Sequence, residues 1–313
     1  MNIQWYPGHM TKTKRMMEEN ISLVDIVIEL LDARIPYSSK NPDIDDLAKN
    51  KKRIILFNKC DLADERATKI WTEYFSKMGF AVIEINALKG TGLAEVTNVA
   101  RELMKEKIEK QRARGRIFVP IRSMIVGIPN VGKSTFINQY VGKNTAKTGD
   151  KPGVTRGKQW IRIKKDFELL DTPGILWPKF EDQEVGKKLA FTGAVNDTIL
   201  DAQTLGTELI NLLITINPDC LRNRYQIEFD TIEEPFAILQ KIGKSRGFLL
   251  KGGEIDLDRA AKILIDEYRG GKLGRITLEL PEDMEKMMQR KIEQERQKKL
   301  DAKRRKKEFQ DRQ

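Results

Sequence analysis

Gly127-Ile128-Pro129-Asn130-Val131-Gly132-Lys133-Ser134 matches G-x-x-x-x-G-K-[ST], the loop whose backbone N–H groups wrap nucleotide phosphates. Upstream of it, Asn58-Lys59-Cys60-Asp61 matches N-K-x-D, with which guanine-specific proteins of this loop class read the base. Downstream, Asp171-Thr172-Pro173-Gly174 supplies D-x-x-G. A phosphate loop alone would suit ATPases and kinases equally, but three matched elements at strand-to-loop junctions narrow the reading to a GTPase. Ordinary GTPases place the phosphate loop first and the base-reading loop later. The order here is reversed, so the chain reads as a GTPase cut and rejoined, a circularly permuted domain.

Apolar, β-branched runs bounded by turn signals support that reading. Val24–Leu31, Arg53–Phe57, Ala81–Ile85 and Ile121–Val126 have the composition of buried parallel strands. Gln159–Ile163 and Phe167–Leu170 precede D-x-x-G. Helical patterns at 43–50, 65–78 and 93–110 alternate with the strands. The expected fold is α/β: a doubly wound, mostly parallel sheet with ligands at its carboxyl ends, joined to an all-helical C-terminal domain. The basic stretch 111–116 would bridge the old termini, since domain ends tend to lie close together at the surface. Two unrelated α/β domains are the alternative, yet neither half alone holds a complete nucleotide site.

After Trp177 the strand signals fade, and Leu205–Ile216, Pro235–Ile242 and Leu257–Tyr268 read as helices. This gives a GTPase domain at 1–177, a helical, RNA-binding domain at 178–281 and a charged basic tail at 282–313. Met284, Met287, Met288 and Ile292 keep a helical stripe before the basic peak Lys303-Arg304-Arg305-Lys306-Lys307. A net charge of +11 over 313 residues points to a polyanionic partner, nucleic acid or an anionic membrane surface. A frayed, solvated helix is the plain alternative for the tail, but adjacent like charges repel unless a polyanion offsets them. Two cysteines, Cys60 and Cys220, make no disulfide framework, as expected in a reducing cytosol. No apolar run is long enough to span a bilayer and no signal-peptide pattern opens the sequence. A cytoplasmic protein without membrane insertion is expected.

Each motif residue has an expected task. Backbone N–H groups of Asn130, Val131, Gly132, Lys133, Ser134 and Thr135 would cradle the phosphates, with the Lys133 ammonium on the β- and γ-phosphates. The Ser134 hydroxyl and Thr155 would ligate magnesium, and Asp171 would hold it through water. The Gly174 N–H would sense the γ-phosphate. The Asp61 carboxylate suits the paired N1–H and N2 donors of guanine, buttressed by Asn58 and Lys59, with Cys60 inside the same loop. Asn86-Ala87-Leu88, following a strand, fits the loop whose N–H meets the guanine oxygen. Ile175 follows D-x-x-G where many GTPases carry the Gln that orients water. Water must then be positioned from elsewhere, or intrinsic hydrolysis is slow.

The permuted order, Trp5-Tyr6-Pro7-Gly8-His9-Met10, Asp32-Ala33-Arg34-Ile35-Pro36 and the phosphate loop closely resemble the YlqF/RbgA ribosome-biogenesis GTPases across nearly the whole chain. The resemblance implies late assembly of the bacterial large (50S) ribosomal subunit, through contacts with the precursor particle and its rRNA that stimulate GTP turnover to GDP. It also implies a hydrophobic residue where the catalytic Gln would be, which Ile175 supplies. Asn130 matches an asparagine that related GTPases use to bind potassium. Asn86-Ala87 stands where Ser-Ala is commoner. His9, the lone histidine, sits in a Pro-Gly turn in this reading, either swinging toward the γ-phosphate on the particle or touching RNA. Two rivals differ in class. A membrane-surface signalling GTPase lacks a terminal lipidation cysteine and a large apolar face. An RNA-binding scaffold with a structural nucleotide site would show no turnover.

Overall fold

Apolar runs from both halves of the chain enter a single sheet. The computed structural model describes residues 8–142, 159–177, 182–195 and 201–285, with the positions 289 and 293. The strands are β1 (Ile26–Asp32), β2 (Lys52–Asn58), β3 (Ala81–Glu84), β4 (Ile121–Gly127), β5 (Gln159–Lys164) and β6 (Phe167–Asp171). Their order in the sheet is β3-β2-β1-β4-β6-β5, with β5 antiparallel and all other neighbours parallel. β1 is buried along its whole length, which is why it reads as an unbroken apolar run. Its pairing with β4, from Ile26 opposite Ser123 to Leu30 opposite Gly127, joins the base-reading half to the phosphate-binding half. Two separate α/β domains are excluded.

Helices α1 (Gly8–Asn20), α2 (Pro42–Leu47), α3 (Glu65–Lys77), α4 (Leu93–Leu103), α5 (Lys105–Ala113) and α6 (Lys133–Val141) accompany the sheet. Their starts follow local chemistry. Asn41 accepts from the Asp43 N–H with Pro42 just inside the helix, and Asp64 accepts from the Ala67 N–H. The single helix expected at 93–110 is two, divided at Met104, whose buried side chain marks where α4 leaves the core. α5 has no fully buried residue and packs on the core only through the half-buried Ile108, so little holds its charged sequence in line with α4. His9 belongs to the first turn of α1 rather than to a Pro-Gly turn. Its side chain lies outside the described residues, as do Thr155 and the stripe at Met287, Met288 and Ile292.

Beyond the sheet come α7 (Gln183–Phe191), α8 (Ala202–Ile216), α9 (Asp219–Tyr225), α10 (Pro235–Ser245) and α11 (Leu257–Arg269). Of these, α7 and α9 were not anticipated. α8 and α11 approach closely because Gly206 has no side chain: a Cβ there would stand 2.8 Å from that of Ala261. The chain then turns back. Ile276 donates its N–H to Leu62 O at 3.0 Å, Leu278 to Arg34 O at 2.8 Å, and Met284 packs in a cluster with Trp71, Phe75 and Phe57. The Trp71 indole N–H donates to Glu279 O at 2.9 Å. Residues 273–284 therefore form a strap across the sheet-bearing part of the molecule.

Glu279 is the strap's polar anchor. Its carboxylate, 4% exposed, accepts from the Ser38 N–H at 2.7 Å, the Ser38 hydroxyl at 2.6 Å and the Lys188 ammonium at 3.0 Å. Removing one partner of such a buried pair leaves the other charge without compensation, at a cost of about 3–5 kcal/mol. Glu279→Ala is expected to lower unfolding free energy by that amount in urea titration, and Glu279→Gln by less. A loss below about 1 kcal/mol for the alanine variant would refute the anchoring role.

Candidate nucleotide-binding site

The parallel strands end along one edge of the sheet, and the motif residues gather there. The phosphate loop follows β4 and is held open by two left-handed residues, Asn130 (φ 57) and Gly132 (φ 97). Gly132 is a steric necessity, because a Cβ would lie 2.3 Å from the Asn58 Nδ2. The loop after β2 thus touches the loop after β4. Asn58 Nδ2 donates to Val131 O at 2.8 Å, and Asn58 Oδ1 accepts from the Ala87 N–H at 2.9 Å. One carboxamide clamps the phosphate loop to both base-reading loops. Its replacement by a hydrocarbon would strand a buried donor and a buried acceptor.

Lys59, itself left-handed at φ 63, extends its ammonium to Asn130 O at 2.9 Å and Asp32 Oδ2 at 3.0 Å. Asp32 also receives two bonds from the Arg34 guanidinium, at 2.9 and 2.8 Å. Burial would raise the Asp32 carboxyl, but Arg34 and Lys59 outweigh it and hold it well below the usual carboxylate range. The contribution of this cluster to stability is complete above the unfolded carboxylate value, about 3.9, and fades only as pH falls through the lower folded value. Arg34 passes the linkage on, donating to Arg269 O at 3.2 Å, while the Arg269 guanidinium meets Ala190 O and Phe191 O at 2.7 and 3.0 Å. Asn130 Nδ2 reaches Gly193 O at 2.7 Å. The phosphate loop is therefore bonded directly to the turn that follows α7.

At the phosphate end, the Lys133 ammonium donates to Asp171 Oδ1 at 2.9 Å and to Thr172 O. Ser134 and Thr135 open α6, both half-buried. The D-x-x-G loop lies against the phosphate loop: a Cβ on Gly174 would come within 3.0 Å of Pro129 Cα, and the Ile175 N–H donates to Gly127 O at 3.1 Å. Ile175 is 1% exposed and packed in the core, so its side chain takes no part in positioning water. A hydroxyl at Ser134 and a carboxylate at Asp171 are hard oxygen donors of the type Mg2+ accepts beside phosphate oxygens. Among the described residues no group of three or more His, Cys, Asp or Glu could hold a metal unaided. The site accordingly fits a cation shared with a nucleotide.

At the base end, Asp61 is exposed and faces the Lys89 ammonium at 3.8 Å, with the Asn86 Oδ1 accepting from the Lys89 N–H at 2.9 Å. Cys60 is an unreactive neighbour. Its thiol donates to Phe57 O at 3.0 Å, and burial, with Glu84 adding to it, pushes its pKa up to about 12. Asp32 and Arg34 carry part of the site's architecture although the motif reading gave them no role there. Their signal was present: an acid and an arginine two apart, directly behind a wholly apolar strand.

These loops, on one sheet assembled in the order base-reading then phosphate-binding, define a circularly permuted P-loop GTPase. The family description 50S ribosome-binding GTPase matches residues 122–224, which begin at β4. Ribosome biogenesis GTPase A of Bacillus licheniformis is 50% identical over 284 residues, covering 91% of this chain and all of that protein. The protein of that name from Thermotoga maritima is 34% identical over 92% of this chain and 98% of its own length. Among solved structures, GDP-bound YlqF from T. maritima superposes with a TM-score of 0.61 at 29% identity, over 86% of this chain and 100% of that one. The GNP-bound form gives 0.60 at 29% identity, over 87% and 99%. The chain belongs to the ribosome biogenesis GTPase A family.

The Asn58 clamp makes Gly132 the point where both ligand ends fail together. Gly132→Ala forces Asn58 away from Val131 and Ala87, and affinity for a fluorescent GTP analogue is expected to drop by about 5- to 150-fold, the equivalent of one stranded polar group. Unchanged affinity in a folded Gly132→Ala variant would show that the clamp plays no part in binding.

Proposed function

We propose that this GTPase is an assembly checkpoint on a precursor of the large ribosomal subunit, binding the particle and its rRNA with GTP and leaving after hydrolysis to GDP. The observation that carries the reading is the full-length match to ribosome biogenesis GTPase A proteins. Net charge of +11 supports an RNA-rich partner. A cytoplasmic location follows from that partner. Among the described residues no helix is long and apolar enough to cross a membrane.

In this reading Asp61 discriminates guanine, and Asn58, Lys59 and Cys60 shape its loop. The Asn86 N–H is committed to Thr91 O and the Ala87 N–H to Asn58 Oδ1, so within this loop the guanine oxygen falls to the Leu88 N–H. The N–H groups of Asn130–Thr135 and the Lys133 ammonium gather the phosphates, and Gly174 reports the γ-phosphate. Ser134, Thr155 and Asp171, the last through water, hold Mg2+, which supplies charge neutralisation between the β- and γ-phosphates. Asn130 is the residue for a potassium ion. With Ile175 buried, His9 at the start of α1 is the candidate for positioning water once the particle is bound.

The domain division at 1–177, 178–281 and 282–313 gives the coupling a route. Asn130 Nδ2 bonds Gly193 O, and the chain runs from Gly174 toward α7. A γ-phosphate that moves either loop therefore pulls on the helical unit. Coupling of this type is reciprocal: the particle tightens GTP binding by the factor with which GTP tightens particle binding, about 5–150-fold in typical systems.

Co-sedimentation with purified large-subunit precursors, in GDP against a non-hydrolysable GTP analogue, is expected to show that ratio and to weaken steeply with salt. In the same assay His9→Ala should sediment normally while particle-stimulated kcat falls about 100-fold. Equal particle affinity in the two nucleotides would sink the checkpoint, and undiminished stimulated turnover would remove His9 from it. Truncation to test the tail belongs after Met284, since that residue is buried against Trp71 and Phe75.

A further inference from the structure

The edge of the sheet farthest from β3 carries an open groove. β5 is the edge strand, and Trp160 and Arg162 project from it on the same face. Arg162 lies opposite Glu168 on β6, which in turn lies opposite Arg122 on β4. Together with Leu23 and Ile161 they line this groove, of about 370 Å³. Trp160, on the edge strand, is 39% exposed, and Leu23, in the turn that precedes β1, is 49% exposed. The Arg122 guanidinium stands 5.6 Å from the centroid of the Trp160 ring and is held by Glu168 Oε2 at 3.1 Å.

Charged side chains on an edge strand discourage strand-to-strand aggregation, and that accounts for Arg162 and Lys164. It does not account for an exposed indole beside an exposed leucine. An aromatic face flanked by arginines is what an unpaired nucleobase and its phosphates require: the ring stacks the base, and the guanidinium groups meet the backbone. The charge balance agrees. Arg122 and Arg162 flank Glu168, which is only partly exposed, and Lys164 and Lys165 follow on the same hairpin. Asp166, in the same turn, is already paired with Arg101 at 2.9 Å.

We propose that the groove formed by Trp160, Arg122, Arg162 and Leu23 binds a single-stranded RNA segment, one base stacking on Trp160. This surface rests on the ribosomal reading above for the identity of its RNA, but not for its chemistry. None of its lining residues comes from the basic tail or the helical unit. It is also linked to the nucleotide site, because β5 runs antiparallel to the strand that ends in Asp171.

The test uses the full chain and a fluorescein-labelled oligouridylate. Trp160→Ala is expected to weaken binding about 5- to 150-fold, with Trp160→Tyr retaining most of it and basal GTP turnover unchanged in both. Arg162→Ala should flatten the salt dependence by about 0.7 in log–log slope, the loss of one phosphate contact. A 4-thiouridine version of the oligomer should crosslink within the peptide that contains Trp160. Crosslinks confined to the tail, or equal affinity and slope in the two alanine variants, would overturn the proposal. Trp160→Ala that keeps RNA affinity but loses the precursor particle would overturn it in favour of a protein strand docking on β5. Trp160-dependent RNA binding by a protein that does not sediment with the particle would uphold this surface while removing the ribosomal reading.

Discussion

Parallel pairing of β1 with β4 is the constraint on which the rest depends. Each of these strands begins a different half of the nucleotide site, and neither half has a sheet wide enough to bury its apolar faces alone. Once Ile26–Leu30 lie beside Ser123–Gly127, the loops after β1, β2 and β4 are forced to the same edge, within reach of one carboxamide and one ammonium. Asn58 and Lys59 then do locally what chain continuity does in an unpermuted domain: they hold the phosphate loop in register with the base-reading loops. The permutation costs little because the contacts that define the site are between strand ends, and strand ends do not record the order in which they were threaded.

From that junction a polar relay crosses to the helices. Asp32 gathers Arg34 and Lys59; Lys59 reaches Asn130; Asn130 reaches Gly193, and Arg34 reaches Arg269, which closes the end of α7. A buried cluster of one carboxylate and two cations is stable only while its geometry is kept, so it resists gradual deformation. Arg269 at the carbonyl end of α7 also meets the negative pole of that helix. Such a relay gives the coupling proposed above a contiguous route from the phosphate loop to the end of α7.

The strands were legible because parallel strands buried on both faces must be apolar, and the phosphate, base and D-x-x-G loops because phosphate and guanine contacts restrict residue types. α1 was not legible. Of its inward positions Met10, Thr13, Met17 and Asn20, two are polar, so no apolar stripe forms. α7 was hidden for a related reason: it buries Lys188, an oddity resolved only by Glu279, 91 residues further on. The returning strap escaped notice because short extended segments that dock by backbone bonds leave almost no periodic trace. Arg34 is enclosed by Asp32 and by the ring of Tyr268, 5.3 Å away, and the second of these leaves no sign in the local sequence. In each case a residue's environment was set by a partner distant in sequence.

Residues 114–120 form the seam between α5 and β4, the bridge expected at 111–116 lying partly inside α5. No strand passes through it, α5 before it has no fully buried residue, and Ile117 is 98% exposed. The covalent link there is doing nothing that the sheet does not already do. A chain opened at this seam would yield one piece holding Asp61 and another holding Lys133, together with β1 and β4 as a ready interface. Guanine would then belong to one fragment and the phosphates to the other, making GTP a molecular staple whose concentration decides whether the two halves are one protein.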